Sequence, residues 1–305
     1  MTESVHAWHP GSKEGPLILI KGAGDIGTGV AHRLYRAGFG IIMTELPEPR
    51  AVRRTVAFSD CVFEGTTSVE EVTAVRLSIE QALRMLAKGL VSNGPIPLVI
   101  DPDGTASSEV PATLLIDARM AKRNLGTKIN DADVVIGLGP GFTAGLDVHA
   151  VVETARGHSL GQVIYRGCAR EFTGVPGEIC GFTVERVLRA PTDGTLRALA
   201  GIGTSVVTGQ SVAEIAAGAE RVPIKAAIPG ILRGLLRDGA PVSGGQKIGD
   251  VDPRCEPDTA WRISDKARSV AGGVLEAVMC LLWGRPPVDQ TDAGGATGEK
   301  GRDQT

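Results

Sequence analysis

A glycine-rich turn between an apolar run and a helical pattern constrains the fold of this chain more than any other feature of its sequence. Residues 16–21, PLILIK, are typical of a buried strand. The turn GAGDIG follows at residues 22–27, and from Asp25 to Ala37 apolar residues recur on one helix face until Gly38. The segment GIIMTEL then has the pattern of a second strand. This order of strand, turn, helix and strand predicts a Rossmann-like unit.

The three glycines of the turn have separate roles in such a unit. Gly22 permits the tight turn, Gly24 lets a pyrophosphate approach the backbone, and Gly27 lets the helix pack closely on the strand. The phosphates would lie against the free N–H groups at the start of the helix. Glu45, near the end of the second strand, falls where a ribose-binding acid is expected, roughly 20 residues further on. The alternative is that the glycines serve chain packing alone.

Three arginines follow Glu45 in the segment TELPEPRAVRRTVAF. Arg50, Arg53 and Arg54 are candidates to hold phosphates, either a ribose 2′-phosphate or those of a larger cofactor. The alternative is a solvated basic turn. The predicted cofactor-binding residues are therefore Gly22, Ala23, Gly24, Asp25, Ile26, Gly27, Glu45, Arg50, Arg53 and Arg54.

Further apolar runs extend the predicted sheet. Strands are expected at residues 97–101, 113–117 and 132–138, and SIEQALRMLAKG has the pattern of an intervening helix. This alternation favours an open, mostly parallel sheet. Ligands of such sheets gather at the carboxyl ends of the strands, where the sequence places Asp117 and Lys122.

A group of ionisable residues lies further along the chain. It comprises Asp147, His149, Glu153, Arg156 and His158. A histidine near carboxylates can transfer protons, but the alternation in DVHAVVET also fits a strand with exposed polar side chains. The sequence has no Ser-His-Asp signature and no Tyr-x-x-x-Lys pair, so a dehydrogenase would lack an evident proton donor. No catalytic residue is assigned.

The second half of the chain contains an internal repeat. Gly203-x-x-Val206-x-x-Gly209-Gln210-x-Val212 recurs 36 residues later, from Gly239 to Ile248. Two such short-strand units are expected to pair into one small barrel. The pattern resembles the biotinyl/lipoyl carrier domain, in which a lysine on a hairpin carries the cofactor. The family pattern places Ala219 at that position, which implies a barrel without the carrier lysine.

Composition excludes several classes of protein. The net charge is −3 and no strongly basic block occurs, which argues against nucleic acid as a partner. No apolar run reaches the roughly 18 residues that a membrane span needs, and the first residues do not have the pattern of a signal peptide. A cytoplasmic protein is expected. The five cysteines are far apart and form no CxxC, so neither a disulfide framework nor a metal site is expected.

We therefore predict an α/β protein with an N-terminal Rossmann-like, mostly parallel sheet, a small biotinyl/lipoyl-like all-β sandwich barrel and a C-terminal helix. The expected boundaries are a flexible N-terminus (1–15), a cofactor-binding domain (16–165), a connector (166–185), the barrel (186–256), the helix (257–284) and a disordered tail (285–305). Ser264 is the expected N-cap of that helix.

Five longer motifs together resemble the accessory proteins of selenium-dependent molybdenum hydroxylase systems, the YqeB type, and more distantly the XdhC/CoxI family. They are IKGAGDIGTGVAHRL, TELPEPRAVRRTVAF, DARMAKRN, IGLGPGFTAGLDVHAVVETARGHSLG and VLRAPTDG, and the match runs from about residue 16 to 284. The resemblance implies a maturation factor for a molybdenum hydroxylase client. The candidate cofactors are the molybdenum cofactor, as a pterin dinucleotide, or NAD(P), and a homo-oligomer is possible.

Two other functions remain open from the residues. An NAD(P)-dependent oxidoreductase is favoured by the glycine turn and Glu45 but lacks a proton donor. A non-enzymatic docking scaffold would leave the glycine turn without a ligand and use the barrel to bind a partner.

Overall fold

The computed structural model describes residues 15–284, and the expectations for the N-terminal segment before residue 15 and for the tail after residue 284 lie outside the described residues. The first half is built on a nine-stranded sheet. The strands of this half are β1 (Leu17–Lys21), β2 (Gly40–Glu45), β3 (Thr66–Val69), β4 (Val72–Leu77), β5 (Ile96–Ile100), β6 (Leu114–Asp117), β7 (Val134–Leu138), β8 (Thr143–Ala144), β9 (Ala150–Val152), β10 (Val163–Ile164) and β11 (Gly167–Cys168). β8 and β11 pair with each other, and the other nine form the sheet.

The large sheet has the order β10-β9-β7-β6-β1-β2-β5-β4-β3. The seven central strands run parallel, and the two edge strands, β10 and β3, pair antiparallel with their neighbours. All five residues of β1 are buried, which is the pattern of a strand covered on both faces. The chain is therefore a mixed α/β protein with a mostly parallel sheet, as predicted.

Helices cover both faces of this sheet. They are α1 (Asp25–Arg36), α2 (Cys61–Glu64), α3 (Ile79–Ala87), α4 (Ala106–Glu109) and α5 (Asp265–Leu282). α5 returns from the end of the chain to pack against α1, and the two share one hydrophobic core on the sheet. A Cβ at Gly29 would lie 2.8 Å from the Cβ of Ala267, so the glycine permits this close approach. The hydroxyl of Ser264 accepts a hydrogen bond from the Ala267 amide at 3.1 Å, which confirms the predicted N-cap.

The hairpin of β3 and β4 is an element that the sequence analysis missed. Its strands are short, and most of their side chains are exposed or half-buried, so they carry a weak apolar signal. The turn between them consists of Glu70 and Glu71, and Glu70 has a φ of 52°, which is uncommon for a residue other than glycine.

The second half contains two four-stranded antiparallel sheets. Their strands are β12 (Val187–Arg189), β13 (Gly194–Ala198), β14 (Ser205–Val206), β15 (Ser211–Ala217), β16 (Glu220–Lys225), β17 (Gly230–Leu235), β18 (Pro241–Val242) and β19 (Lys247–Asp252). One sheet has the order β12-β19-β17-β14 and the other β16-β15-β13-β18. Apolar side chains of both sheets form one core. Ala219 lies in the turn between β15 and β16.

The 36-residue repeat is visible in the backbone as well as in the sequence. Gly194 and Gly230 have φ angles of 155° and 153°, and a Cβ on either would lie 2.5 Å or 2.3 Å from a carbonyl oxygen of the neighbouring strand. The side chains of Gln210 and Gln246 accept hydrogen bonds from the third residue before each, at 3.1 Å in both copies. The two copies therefore share their turns and their hydrogen bonds.

Within residues 15–284, none of the helices combines the length and the apolar character that a bilayer crossing requires.

Candidate functional site

The glycine turn lies at the carboxyl edge of the sheet, at the point where the strand order reverses. β1 has β2 on one side and β6 on the other, and the chain builds the sheet outward in both directions from this centre. The Gly22 amide donates to the Thr44 carbonyl at 2.9 Å, and the Ala118 amide donates to the Lys21 carbonyl at 2.8 Å. The turn is thus hydrogen-bonded to both neighbouring strands. Crevices at such reversal points are the usual ligand sites of open α/β sheets.

The three glycines of the turn meet different surroundings. Gly22 has a φ of 94°, and its Cβ would be 3.0 Å from the Ala118 carbonyl oxygen. A Cβ at Gly27 would be 2.2 Å from the Gly22 carbonyl oxygen. Gly24, in contrast, has an ordinary φ of −65°, and a Cβ there would meet no atom of the described chain within 4 Å. The fold therefore requires glycine at positions 22 and 27 but not at position 24.

The start of α1 presents backbone amides beside this open space. The Thr28 amide donates to the Gly24 carbonyl at 2.8 Å, so the helical hydrogen bonds begin there and the amides of Asp25, Ile26 and Gly27 precede them. Gly24 is the N-cap and has no side chain to satisfy these amides. The helix has 12 residues, and its dipole places partial positive charge at this end.

Glu45 reaches the turn, although its carboxylate is already hydrogen-bonded. Its Oε2 accepts from the Ala23 amide at 2.8 Å, and its Oε1 accepts from the Leu46 amide at 2.7 Å. Burial raises the pKa of this carboxyl, and the two amide hydrogen bonds offset part of that rise. The structure therefore places Glu45 beside the glycine turn, and its contact with a ribose stays a prediction.

Arg53 is the one of the three predicted arginines that lies next to the start of α1. Its side chain is 6% exposed, and its Nη2 donates to the carbonyls of Thr259 and Arg262 at 3.1 and 3.0 Å. Its Nη1 lies 3.8 Å from Oδ2 of Asp25. Nε and Nη1 have no hydrogen-bond partner among the described residues, and burial lowers the pKa of the guanidinium. Arg53 thus carries buried donors beside the turn.

Arg50 and Arg54 contact the second half of the chain. The Nε of Arg54 donates to the Leu235 carbonyl at 3.0 Å, and the Nη1 of Arg50 donates to Oε1 of Gln246 at 3.3 Å. The Leu235 amide also donates to the Val52 carbonyl at 2.9 Å. This segment therefore joins the parallel sheet to the antiparallel sheets, and a phosphate contact by Arg50 or Arg54 stays a prediction.

Two lysines add positive charge to the same region. Burial lowers the pKa of Lys122, and Asp25 acts in the opposite direction. Burial is also the main cause of the lowered pKa of Lys266, in the first turn of α5, followed by the charge of Lys122. The charge of Asp25 acts on the pKa of both lysines and raises it. Lys266 was missed by sequence reasoning because it lies far from Asp25 along the chain and no motif connects them.

The ionisable residues between 147 and 158 serve mainly to fix loops. The Nδ1 of His149 accepts from the Val135 amide at 3.0 Å, and burial lowers the pKa of this histidine. Glu153 is buried and accepts from the amides of Thr154, Ala155 and Arg170. These contacts support the structural alternative for this segment over proton transfer.

Comparison with known proteins gives one extensive sequence match. No family model matches the chain. The "Uncharacterized protein YqeB" of Escherichia coli strain K12 is 50% identical over 274 residues, which cover 90% of this chain and 49% of that protein. The chain therefore spans about half the length of this curated relative.

Solved structures match much more weakly. The product-bound ectoine utilization protein EutE (DoeB) from Ruegeria pomeroyi is 13% identical with a TM-score of 0.24. An aspartoacylase family protein from Mesorhizobium loti is 15% identical with a TM-score of 0.25, and a succinylglutamate desuccinylase/aspartoacylase from Rhodobacter sphaeroides is 14% identical with a TM-score of 0.24. Each match covers 78% of this chain and 85% of the other. Scores this low transfer no activity to this chain.

The comparisons correct the identification drawn from the motifs. The curated relative is uncharacterized, and the matching structures are named for ectoine utilization, aspartoacylase and desuccinylase proteins. None of these names refers to molybdenum hydroxylase maturation, to selenium or to the XdhC family. The identification as an accessory protein of selenium-dependent molybdenum hydroxylases, and the maturation function that it implied, are therefore wrong. The oxidoreductase and scaffold alternatives gain no support from these names.

Proposed function

We propose that the crevice between β1 and β6 binds a small molecule through a phosphate or diphosphate group, held by the backbone amides at the start of α1. The main observation in support of this proposal is that a Cβ at Gly24 would meet no atom of the described chain within 4 Å. Gly22 and Gly27 are required by the chain itself, whereas no protein atom explains the glycine at position 24. A missing side chain beside free helical amides is what close approach of an anion requires.

The surrounding charges favour the same class of ligand. Arg53 brings buried donors without hydrogen-bond partners to within 3.8 Å of Asp25, and Lys122 and Lys266 lie in the electrostatic range of the same residue. Asp25 and the carboxyl group of Glu45 oppose an anion, but Arg53, Lys122 and Lys266 together supply three positive charges against these two acidic groups. Recognition would combine backbone amides with charge-assisted hydrogen bonds, the strongest kind available for phosphate.

The arrangement around β1 and the repeat in the second half support a finer description of the fold. We infer that β1, α1 and β2 form a Rossmann-like unit, and that the two antiparallel sheets form a biotinyl/lipoyl-like sandwich. The reversal of strand order at β1 supports the first inference. The 36-residue repeat supports the second, and Ala219 in the β15–β16 turn is consistent with a sandwich that lacks a carrier lysine.

The proposal is tested by calorimetric titration of the wild type with pyrophosphate and with ADP, followed by Gly24→Val. Because position 24 has an ordinary φ and open space, this variant is expected to fold, with an unfolding temperature lowered by no more than a few degrees because valine is a poorer N-cap than glycine. Its side chain would cover the amides, and we expect affinity to fall at least about tenfold, or about 1.4 kcal/mol.

Gly201→Val is the matched control. Gly201 also has open space around its Cβ position, and it lies in the second half of the chain. This variant should keep both stability and affinity. Failure of the wild type to bind either probe, or unchanged binding by Gly24→Val, would refute the proposal.

A further inference from the structure

Three side chains with metal-ligating atoms lie close together near the C-terminal half of α1. His32 lies on α1, and Glu70 and Glu71 form the turn of the β3–β4 hairpin. Their ligand atoms all lie within 4.8 Å of one another. Neither helix periodicity nor spacing in the sequence connects residue 32 with residues 70 and 71.

The Nε2 atom of His32 is the unusual member of this cluster. The His32 residue is 7% exposed, and its Nε2 lies 3.5 Å from Oε2 of Glu70 and 3.4 Å from Oε1 of Glu71. It nevertheless makes no hydrogen bond to any described residue. This buried imidazole nitrogen lies at ion-pair distance from two carboxylates, but it makes with neither of them the well-formed hydrogen bond that buried polar atoms normally have.

The two distances from His32 to the carboxylates suit a tetrahedral metal ion. Zinc binds imidazole nitrogen and carboxylate oxygen at about 2.0–2.2 Å. Two ligand atoms 3.4–3.5 Å apart would then subtend an angle of about 100–120° at the ion, a range that includes the tetrahedral angle. A direct N–H···O hydrogen bond would instead bring the heavy atoms to about 2.7–3.2 Å.

The backbone and neighbouring residues hold Glu70 in this position. Glu70 adopts a left-handed φ of 52°, which costs free energy for a residue other than glycine. Its Oε1 accepts from Arg268 and from the Ile263 amide, while its Oε2 points to His32. One carboxylate oxygen is thus fixed by Arg268 of α5 and by the amide of Ile263, two residues before that helix, and the other remains available as a ligand. Metal-binding carboxylates are commonly oriented in this way.

One cation competes with a metal ion at this cluster. The Nη1 of Arg36 contacts the same Oε1 atom of Glu71 that faces His32. The Glu71 side chain is 50% exposed, so an ion and water can reach the cluster from solvent. Arg36 is itself 60% exposed and lies one turn after His32 on α1, so it can turn away when a metal ion binds.

We propose that His32, Glu70 and Glu71 bind a divalent transition-metal ion of the zinc class, with water as the fourth ligand. The ion would connect α1 to the β3–β4 hairpin, and through Arg268 to α5. Its position away from the glycine turn makes this a site independent of the proposed phosphate site. The expected role is to stabilise the packing of these three elements.

The test is equilibrium dialysis of the metal-free protein against zinc, with bound metal measured by mass spectrometry. Exposed thiols are first blocked with iodoacetamide, since Cys168, Cys180 and Cys255 are exposed. All proteins carry His6→Gln and His9→Gln, which removes the one closely spaced pair of histidines in the sequence. We expect one zinc ion per chain and an unfolding temperature that rises with zinc.

Three variants decide between a metal site and a simple ion-pair cluster. His32→Gln and Glu70→Gln should each lose at least about tenfold in zinc affinity, whereas the control His158→Gln should not, because His158 is not one of the three residues of the cluster. Arg36→Gln should bind zinc more tightly, since it removes the competing cation from Glu71. Absence of bound zinc in the wild type, equal uptake by His32→Gln, or weaker uptake by Arg36→Gln would each overturn the proposal. Should His32→Gln fail to fold, Glu70→Gln and Arg36→Gln still decide the outcome.

Discussion

The carboxylate of Glu45 accepts a hydrogen bond from the backbone amide of Ala23 at 2.8 Å, which ties the end of β2 to the glycine turn after β1. The carbonyl of Ala23 accepts in turn from the Ser59 amide and from the Thr28 hydroxyl, at 2.9 and 3.0 Å. Both polar groups of one turn residue are therefore satisfied by different segments of the chain. This network holds the start of α1 in place before any ligand arrives.

The effect of replacing Glu45 on the free energy of unfolding should depend on whether the new side chain still offers an acceptor to the Ala23 amide. Glu45→Leu leaves that amide without its acceptor, and we expect a loss of about 1–3 kcal/mol in the free energy of unfolding. Glu45→Gln keeps an acceptor oxygen and avoids burying a charge, so its effect should stay below about 1 kcal/mol. Urea denaturation measures both, with the exposed Glu48→Leu as control. Equal losses for the leucine and glutamine variants would show that the hydrogen bond is unimportant.

Binding of pyrophosphate should weaken at alkaline pH sooner than ordinary lysines would predict. The pKa values of Lys122 and Lys266 are lowered from 10.5, chiefly by burial. Each lysine is positively charged below its pKa, so the charges that attract the anion are lost as pH rises through these lowered values. Calorimetry between neutral and alkaline pH should show the decline. A Lys122→Arg, Lys266→Arg protein keeps its charges and should retain affinity; a parallel decline in that protein would contradict this explanation.

Asp252 should make the fold sensitive to acid. Burial tends to raise its pKa, but hydrogen bonds from Arg254 and the charge of Arg233, whose Nη1 lies 2.9 Å away, outweigh burial and lower it below the ordinary value of 3.8. The stabilisation is therefore complete above pH 3.8 and is lost as pH falls below it towards the lowered pKa. The free energy of unfolding, followed by urea titration at each pH, should fall over that range.

The variant Asp252→Asn tests this assignment. It leaves Arg233 with an uncharged partner, and we expect the free energy of unfolding to fall by on the order of 3 kcal/mol at neutral pH. The free energy of unfolding should also decrease less steeply as the pH is lowered. Asp258→Asn is the control, since Asp258 pairs with Arg262 at 3.4 Å on an exposed surface and should change neither quantity. If the free energy of unfolding of Asp252→Asn falls with acid as steeply as that of the wild type, another carboxylate is responsible for the acid sensitivity.

Cys61 should resist alkylation while the exposed cysteines react. Burial raises its pKa to about 11, and its Sγ contacts the Gly65 carbonyl at 3.2 Å. Because the thiolate is the reactive form, Cys61 should react about a hundredfold more slowly at pH 8 than Cys168 or Cys255. Peptide mapping by mass spectrometry after timed iodoacetamide treatment measures this, and urea should abolish the difference. Rapid labelling of Cys61 in the folded protein would contradict the buried environment.

Much of the fold could be predicted from local patterns in the sequence. The apolar run of β1, the glycine turn and the amphipathic α1 follow one another, so a single window contains the whole signal. The N-cap at Ser264 and the 36-residue repeat are likewise visible as short motifs. Local spacing determines backbone conformation, and these predictions therefore needed no knowledge of tertiary contacts.

The parts that failed depend on contacts between distant segments. The β3–β4 hairpin is only half-buried, so its apolar pattern is weak. Arg53 and Arg54 look alike in sequence, yet Arg53 is buried beside Asp25 while Arg54 donates to Leu235. Nothing in the local sequence distinguishes them.

The sequence by itself thus determined the secondary structure around the glycine turn, the mostly parallel sheet and the paired units of the second half. Only the tertiary structure decided which charged residues meet there, and it alone brought His32 to Glu70 and Glu71. The physical reason is that backbone preferences act over a few residues, whereas the position of a side chain relative to distant ones depends on how whole elements pack.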